Sequence, residues 1–270
     1  MLRDLVYNDL MARGRTEATA KEWGAVAGEF AEVCGEKESY GRADLTTFLT
    51  HMRARDLKPS TIDKNLKSIR LLSQIQGWEF PKLTLKHPSP YDVTRPTLSK
   101  ENVGDMIMWG KTLFTPHELC YLAISTTYGL RRAEMARLEY EDLRDGALTI
   151  HTAKGGRLTT HLIPPEITPY LLHFRNYKRE SLSNMFQRLA SRAGMPTTAG
   201  YGWHSIRRSL VTELMLVDAS PLDVLRFMRW SDSSARGELR MLTVYAQMDQ
   251  ERIDQAIFDV HPFLPYWREA

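Results

Sequence analysis

Two cysteines in 270 residues, Cys34 and Cys120, are too few and too far apart for a disulfide framework. Neither sits in a CxxC context that would hold zinc or run thiol exchange. No apolar run approaches the length needed to span a bilayer, so no membrane association is expected. The opening stretch, MLRDLVYNDLMARGR, lacks the apolar region of a signal peptide, and the expected location is a reducing cytoplasm. There is no DxD and no HExxH, so two-metal nuclease chemistry is poorly supported, and neither a metal nor a cofactor is expected. An excess of charge of one sign is also missing. Lys and Arg number 36 against 33 Asp and Glu, for a formal charge of +3 and an isoelectric point near 8.8. That balance permits nucleic-acid binding without demanding it, so any charge signal has to come from local clusters. No internal repeat and no low-complexity tract occurs.

The composition that is present, 43% hydrophobic and 26% charged, suits a globular chain long enough for two domains with real cores. The first part reads as short, well-punctuated helices. TEATAKEWGAVAGEFAEVCG has Thr16 as N-cap and Gly35 as stop. DLTTFLTHMRARD has Asp44 as its expected cap. A helix expected from Ser60 to Gly77 carries Ile62, Leu66, Ile69, Leu72 and Ile75 as an apolar stripe. Its other face carries Lys64, Lys67 and Arg70 as one basic edge. Periodicity stops between about Pro81 and Ser99, where Pro88, Pro90 and Pro96 block helix. The expected division is a helical domain over 1–82, a Pro-rich linker over 83–97 and a second domain over 98–270.

In the second domain, FTPHELCYLAISTTYG offers Thr115 as N-cap, Pro116 at the first helical position and Glu118 three residues after the cap. ALTIHTAKGGRLTTHLIP has β-branched residues on either side of Gly-Gly and reads as a hairpin. Helices are expected again in PEITPYLLHFRNY, SNMFQRLASRAG, YGWHSIRRSLVTELM and SPLDVLRFMRW. The fold class is therefore mainly α, with a small hairpin or three-stranded sheet.

Several polar clusters interrupt these helices. Arg131 and Glu134 share a helix face directly after Gly129; they read as a phosphate-binding arginine with its orienting carboxylate, or as a solvated ion pair at a helix start. Lys154 is expected at the tip of the hairpin, with Arg157 just beyond; such a tip can push a lysine into a DNA groove or onto a leaving group, or leave it simply exposed. His204 lies three residues before Arg207 and four before Arg208, flanked by Trp203 and Ile206. Such a face can grip a phosphate through charge-assisted bonds, or merely cover a helix end. Trp230 precedes a polar turn and Tyr245 follows a short helical segment; alone, Tyr245 reads as a half-buried aromatic. Taken together, two arginine sites, a lysine, a histidine and a late tyrosine suit phosphoryl transfer, whose charged transition state fixed cations can stabilise.

The order Arg, Lys, His-x-x-Arg, Trp, Tyr resembles that of the tyrosine recombinase, or phage integrase, family. YGLRRAE is similar to the family's T-G-L-R-x-x-E box, AKGGR to its hairpin lysine box and WHSIRRS to its H-x-x-R box. MRWSDSS is similar to the region usually written L-G-H-S-S, with Trp230 where most members have His, and TVYAQMD to the nucleophile box. The resemblance runs from about Leu98 to the end of the chain. It implies a two-domain clamp on double-stranded DNA that cleaves and rejoins strands without metal or ATP. In that scheme Tyr245 attacks a phosphate to give a 3′-phosphotyrosyl bond, and Arg131 and Arg207 stabilise the phosphorane. Glu134 supports Arg131, His204 assists proton transfer or holds an oxygen, Lys154 protonates the departing 5′-oxygen, and Trp230 orients the phosphate. Lys64, Lys67, Arg70, Arg157 and Arg208 become candidate DNA contacts, Arg208 alternatively pairing with an acidic neighbour.

The resemblance further implies a homo-oligomer, monomeric or dimeric when free and tetrameric in the synapse. The tail DQERIDQAIFDVHPF, with Ile253, Ile257 and Val260 at helical spacing, is suggested to pack on a neighbouring protomer, its own domain being the other option. A non-catalytic DNA-binding architectural or regulatory protein of the same fold, or a type IB-like topoisomerase, are the alternatives.

Overall fold

A computed structural model describes residues 1–83, 95–152, 158–230 and 249–268. The chain divides into two compact units, Met1–Thr94 and Arg95–Ala270. The Pro-rich stretch expected as a linker lies mostly outside the described residues.

Among its described residues the first unit contains four helices, α1 (Leu2–Ala12), α2 (Glu17–Cys34), α3 (Arg42–Ala54) and α4 (Pro59–Gln76). Thr16 caps α2 through its side chain, and Gly35 ends it with a positive φ. α1 and α2 pack closely at Gly24, where a Cβ would come within 2.9 Å of the Arg3 carbonyl oxygen, so only glycine fits this crossing. The core is built on Phe30, with Tyr40 tilted at 4.7 Å and Phe48 edge-on at 5.1 Å between ring centroids. Asp44 caps α3, but not as its first residue. Gly41 is the N-cap, and Asp44, three residues on, accepts the Gly41 backbone N–H at 2.9 Å. α4 likewise starts one residue before Ser60, with Pro59 in the first turn, where its missing N–H costs nothing. Ile62, Leu66, Ile69 and Leu72 are buried along its apolar stripe, with Ile75 packed partly against the same core.

The second unit is arranged around α6 (Pro116–Tyr128), preceded by α5 (Lys100–Leu113). Every residue of α6 from Glu118 to Tyr128 is buried. A helix buried all round needs strong local punctuation, because no polar face fixes its register. The Thr115–Glu118 capping box and Pro116 set its start; Gly129, at φ +57°, sets its end. After α7 (Arg132–Met135) and a 3₁₀ turn at Tyr140–Asp142 comes an antiparallel sheet of β1 (Leu143–Arg144), β2 (Ala147–His151) and β3 (Leu158–Leu162), in that order. Asp145 and Gly146, both with positive φ, make the two-residue turn that pairs Arg144 with Ala147. Leu148, Ile150 and His161 point to the core.

Four helices follow: α8 (Thr168–Leu171), α9 (Arg179–Arg192), α10 (Trp203–Leu216) and α11 (Pro221–Phe227). Past Leu171, i→i+3 bonds replace helical ones, so the helix expected through His173 and Phe174 stops early. The carbonyls of His173 and Arg175 instead accept from His117 Nδ1 and Tyr121 Oη of α6.

The chain closes with α12 (Gln250–Asp259) and α13 (Leu264–Arg268). These pack on their own unit, the other of the two options the sequence left open. Ile253, Ile257, Phe263, Leu264 and Trp267 are buried in its core, while Val260 is exposed. Trp267 Nε1 donates to Thr126 Oγ1 at 3.1 Å, which fixes the tail on α6. No helix of the described residues is long and apolar enough to cross a membrane.

Candidate active site

The site grows from the C-terminal end of α6. The last carbonyls of a helix lack partners within it, and inside a core they must find others. Here three side chains from distant parts of the chain supply them. His261 Nε2 donates to Thr127 O at 2.9 Å, Arg229 Nη2 to Tyr128 O at 2.9 Å and Arg207 Nη1 to Gly129 O at 2.6 Å. The same two arginines also satisfy the end of α11. Arg207 donates to Met228 O, and Arg229 Nη1 donates to Phe227 O at 2.9 Å. Two negative helix ends thus face two guanidiniums, which explains how permanent positive charge is held within a core.

Gly129 lets these pieces meet. A Cβ there would come within 2.7 Å of Met228 Cε and within 3.4 Å of Arg207 Cγ. Two residues later, Arg131 is the N-cap of α7. Its backbone N–H donates to Glu134 Oε2 at 2.8 Å and its Nη1 to Oε1 at 2.6 Å. The Glu134 side chain is fully buried, whereas Arg131 retains 20% of its surface. Arg229 Nη2 lies 3.7 Å from Glu134 Oε2.

Burial pushes the Glu134 carboxyl up. The charge of Arg229, with hydrogen bonds from Arg131, more than offsets this, and Glu134 lies below the usual carboxylate range. Burial, then the charges of Arg229 and Arg131, holds Arg207 well below the ordinary arginine value, with Glu134 opposing. An anion arriving at this cluster relieves that repulsion.

His204 lies in the first turn of α10, whose Gly202 cap receives Ser205 Oγ on its N–H at 3.2 Å. Its ring is exposed, yet its proton affinity falls below the ordinary histidine value, through burial of part of the ring and then the charges of Arg207, Arg208, Arg131 and Arg132. It is a neutral imidazole at pH 7, able to donate at one nitrogen and accept at the other. Trp203 and Ile206 are buried; Trp203 Nε1 donates to Leu182 O at 2.7 Å and locks the helix start. Of the two adjacent arginines in α10, Arg207 joins the cluster. Arg208 turns away: its Nε donates to Pro96 O at 2.8 Å and its Nη2 to Ser205 Oγ at 3.0 Å. Among the described residues its partners are backbone and hydroxyl oxygens.

Trp230 follows Arg229 at the end of α11 and packs, half-buried, on the core. Lys154, Arg157 and Tyr245 lie outside the described residues. On the first unit, the basic edge of α4 is matched by partners of its own. Lys64 pairs with Glu22, Lys67 with Asp63 at 3.2 Å, and Arg70 lies 4.8 Å from the Phe80 ring centroid.

Three functional-looking residues carry no motif signal: Arg229, His161 and Asp254. His161 Nδ1 donates to Asp254 Oδ1 at 2.8 Å, and both side chains are fully buried. Asp254 also accepts from Leu162 N at 2.7 Å and Gln250 Nε2 at 2.9 Å. This pair ties α12, the described element that follows Tyr245 in the chain, to β3. Only pairing across the fold reveals it, because His161 sits in a strand and Asp254 on a helix far along the chain. Among the described residues no group of three or more His, Cys, Asp or Glu side chains is placed to hold a metal ion.

No family model and no curated protein matches the chain. Solved structures do. The chain is similar to the XerH site-specific recombinase bound to difH substrate in a pre-cleavage complex, at 16% identity over 91% of this chain and 80% of that one, with a TM-score of 0.66. It is similar to a lambda integrase(75–356) dimer bound to a COC′ core site, at 12% identity over 88% and 97% of the two chains, TM-score 0.61. A third is the integrase from mycobacterium phage Brujita, at 16% identity over 99% and 97%, TM-score 0.50. The fold is that of the tyrosine recombinases: mostly helical, with one small antiparallel sheet.

Proposed function

We propose that this protein is a site-specific tyrosine recombinase, which binds double-stranded DNA as a homo-oligomer and breaks and rejoins it through a 3′-phosphotyrosyl intermediate. The observation that carries the reading is a cluster around one buried carboxylate, Glu134: Arg131 pairs with it, Arg207 of α10 feels its charge, and His204 on the same helix feels the charges of both arginines. A solvated surface pair does not need buried guanidiniums held by two helix ends. An anion-binding centre does.

In the proposed reaction the Tyr245 hydroxyl attacks a scissile phosphate, forming a P–O bond to the tyrosine oxygen and breaking the bond to the 5′-oxygen. Free tyrosine has a pKa near 10, so the phenol must give up its proton as it attacks. Neutral His204 is the group suited to receive it or to hold a non-bridging oxygen. Arg131 and Arg207 stabilise the charge that builds on the equatorial oxygens, Arg207 through a guanidinium already fixed in place. Lys154 returns a proton to the departing 5′-oxygen. Trp230 contributes its indole N–H to a phosphate oxygen. The phosphodiester energy is kept in the tyrosyl bond, and attack by a 5′-hydroxyl of another strand reverses the step, so no nucleotide is consumed. A protein of this fold that only binds DNA has no use for such a cluster in a sequence that also carries the nucleophile box TVYAQMD.

The test is covalent trapping on a nicked suicide substrate. Wild type forms a protein–DNA adduct that survives denaturation. Tyr245→Phe forms none while retaining DNA binding; an adduct with the Phe variant refutes the assignment of the nucleophile. Supercoil relaxation by monomer without strand exchange points to the topoisomerase alternative.

A further inference from the structure

Arg229 has no place in the reaction described so far, yet it is among the most completely buried charges in the described structure. Its backbone is unusual as well. α11 ends in a Schellman motif, in which the Trp230 N–H bonds to Leu225 O at 3.0 Å and the Arg229 N–H to Arg226 O at 2.9 Å. The residue between the two bonds must adopt the left-handed conformation, and Arg229 does so at φ +54°. Glycine fills that position in most such motifs, because a Cβ is strained there. Matching MRWSDSS to L-G-H-S-S also sets Arg229 against the glycine. The chain therefore accepts both backbone strain and a buried charge at one residue. Strain of this kind persists where surrounding contacts over-determine it.

Those contacts lead to the site. Through Nη2, Arg229 reaches both Tyr128 O and the Oε2 face of Glu134; Arg131 holds Oε1. With Arg131 alone, Glu134 would form a closed, neutral pair, and the partly exposed guanidinium would be occupied by its own carboxylate. A second guanidinium 3.7 Å from Glu134 Oε2 changes that. The carboxylate is shared, the trio carries a net positive charge, and Arg131 is aimed but not neutralised.

We propose that Arg229 is a positioning residue for the cleavage reaction: it shares the Glu134 carboxylate with Arg131, so that Arg131 keeps its orientation and its charge for the incoming phosphate. This rests on the recombinase reading. It assigns Arg229 no contact with DNA and no share in proton transfer. Its effect passes through Glu134 and Arg131.

The experiment measures single-turnover cleavage of the nicked substrate and equilibrium DNA binding for wild type, Arg229→Gly, Arg229→Lys, Glu134→Gln and the Arg229→Gly/Glu134→Gln double variant. Glycine suits the left-handed backbone, so Arg229→Gly removes the guanidinium without straining the turn. The expected result is a cleavage rate lower by about 100-fold, the scale of losing one fixed electrostatic group, with DNA affinity within about threefold of wild type. Arg229→Lys keeps the charge but not the planar fork and recovers part of the rate. The double variant is no slower than Glu134→Gln alone, because both changes break the same linkage. Cleavage by Arg229→Gly at the wild-type rate, or losses that multiply in the double variant, overturn the proposal. Should Arg229→Gly fail to fold, Arg229→Lys decides: wild-type cleavage by that variant overturns it. Absence of any adduct from wild type instead refutes the recombinase reading, and the role of Arg229 in cleavage with it.

Discussion

Arg207 and Arg229 bridge the same two chain turns, each donating one hydrogen bond to the end of α6 and one to the end of α11. They come from different elements, one inside α10 and one just past α11. Their shared geometry makes the proposed anion-binding centre part of the core: it cannot shift without opening two buried helix ends. A site that must hold a phosphate in a fixed attitude gains from support of this kind.

The two adjacent arginines of α10 are expected to separate cleanly on mutation. Arg207→Ala leaves Gly129 O and Met228 O without donors and removes a cation from the cluster, so cleavage falls by roughly 100- to 1000-fold and stability by about 2 kcal/mol or more. Arg208→Ala releases Pro96 O and Ser205 Oγ at the edge of the unit. It costs on the order of 1 kcal/mol and leaves cleavage within about tenfold. Single-turnover cleavage and thermal unfolding of both variants check this; equal loss of cleavage in the two refutes the assignment.

His261 sets a pH dependence. Its Nε2–H is given to Thr127 O, and its Nδ1 accepts the backbone N–H groups of Phe263 and Leu264, both at 3.2 Å. A proton on Nδ1 would confront two donors. Burial is the main cause that brings its pKa down from 6.5 to about 4, opposed by the bond to Thr127 and the charge of Glu166. The unfolded chain therefore takes up the proton first. The stability due to neutral His261 is fully present above pH 6.5 and is lost as pH falls toward 4, on the order of 3 kcal/mol. Buried His161, whose pKa burial also lowers, adds a further contribution of the same sign. His261→Asn keeps an acceptor for the start of α13 and removes this titration. Denaturant unfolding between pH 7 and 4 should show a less stable but flatter curve for the variant; an acid loss as steep as that of wild type contradicts the account.

The basic edge of α4 tests where DNA lies. Lys64 and Lys67 already have acidic partners within the first unit, so DNA must exchange those pairs for phosphates. If it does, Lys64→Ala lowers the slope of log affinity against log salt by about 0.9. A titration from low to moderate salt measures the slope; an unchanged slope makes this edge a self-paired, solvated face.

Much of the scaffold was legible because it is local. Thr16, Gly35 and the Thr115–Pro116–Glu118 set mark helix ends by short-range bonds, and the structure has them there. The Asp145-Gly146 turn is a hairpin signal of the same kind, overshadowed by the Gly-Gly that follows it. The early end of α8 was not legible, because the carbonyls of His173 and Arg175 are drawn off by α6, distant in sequence. The site divides in the same way. Arg131 with Glu134, and His204 with Arg207, are neighbours on the chain and share a face by spacing. Arg229 looks like one more exposed arginine until Tyr128 and Glu134 are brought against it. Asp254 and His161 are 93 positions apart, and no pattern links them. Contacts made by folding write nothing into a local stretch.

In the proposed reaction the arginine cluster serves a tyrosine that attacks phosphate. The most direct measurement traps wild type on a nicked substrate, digests the adduct with protease and identifies the modified peptide by mass spectrometry. The account predicts a 3′-phosphonucleotide on Tyr245, in the stretch TVYAQMD. An adduct on any other residue, or DNA bound tightly with no adduct formed, contradicts it.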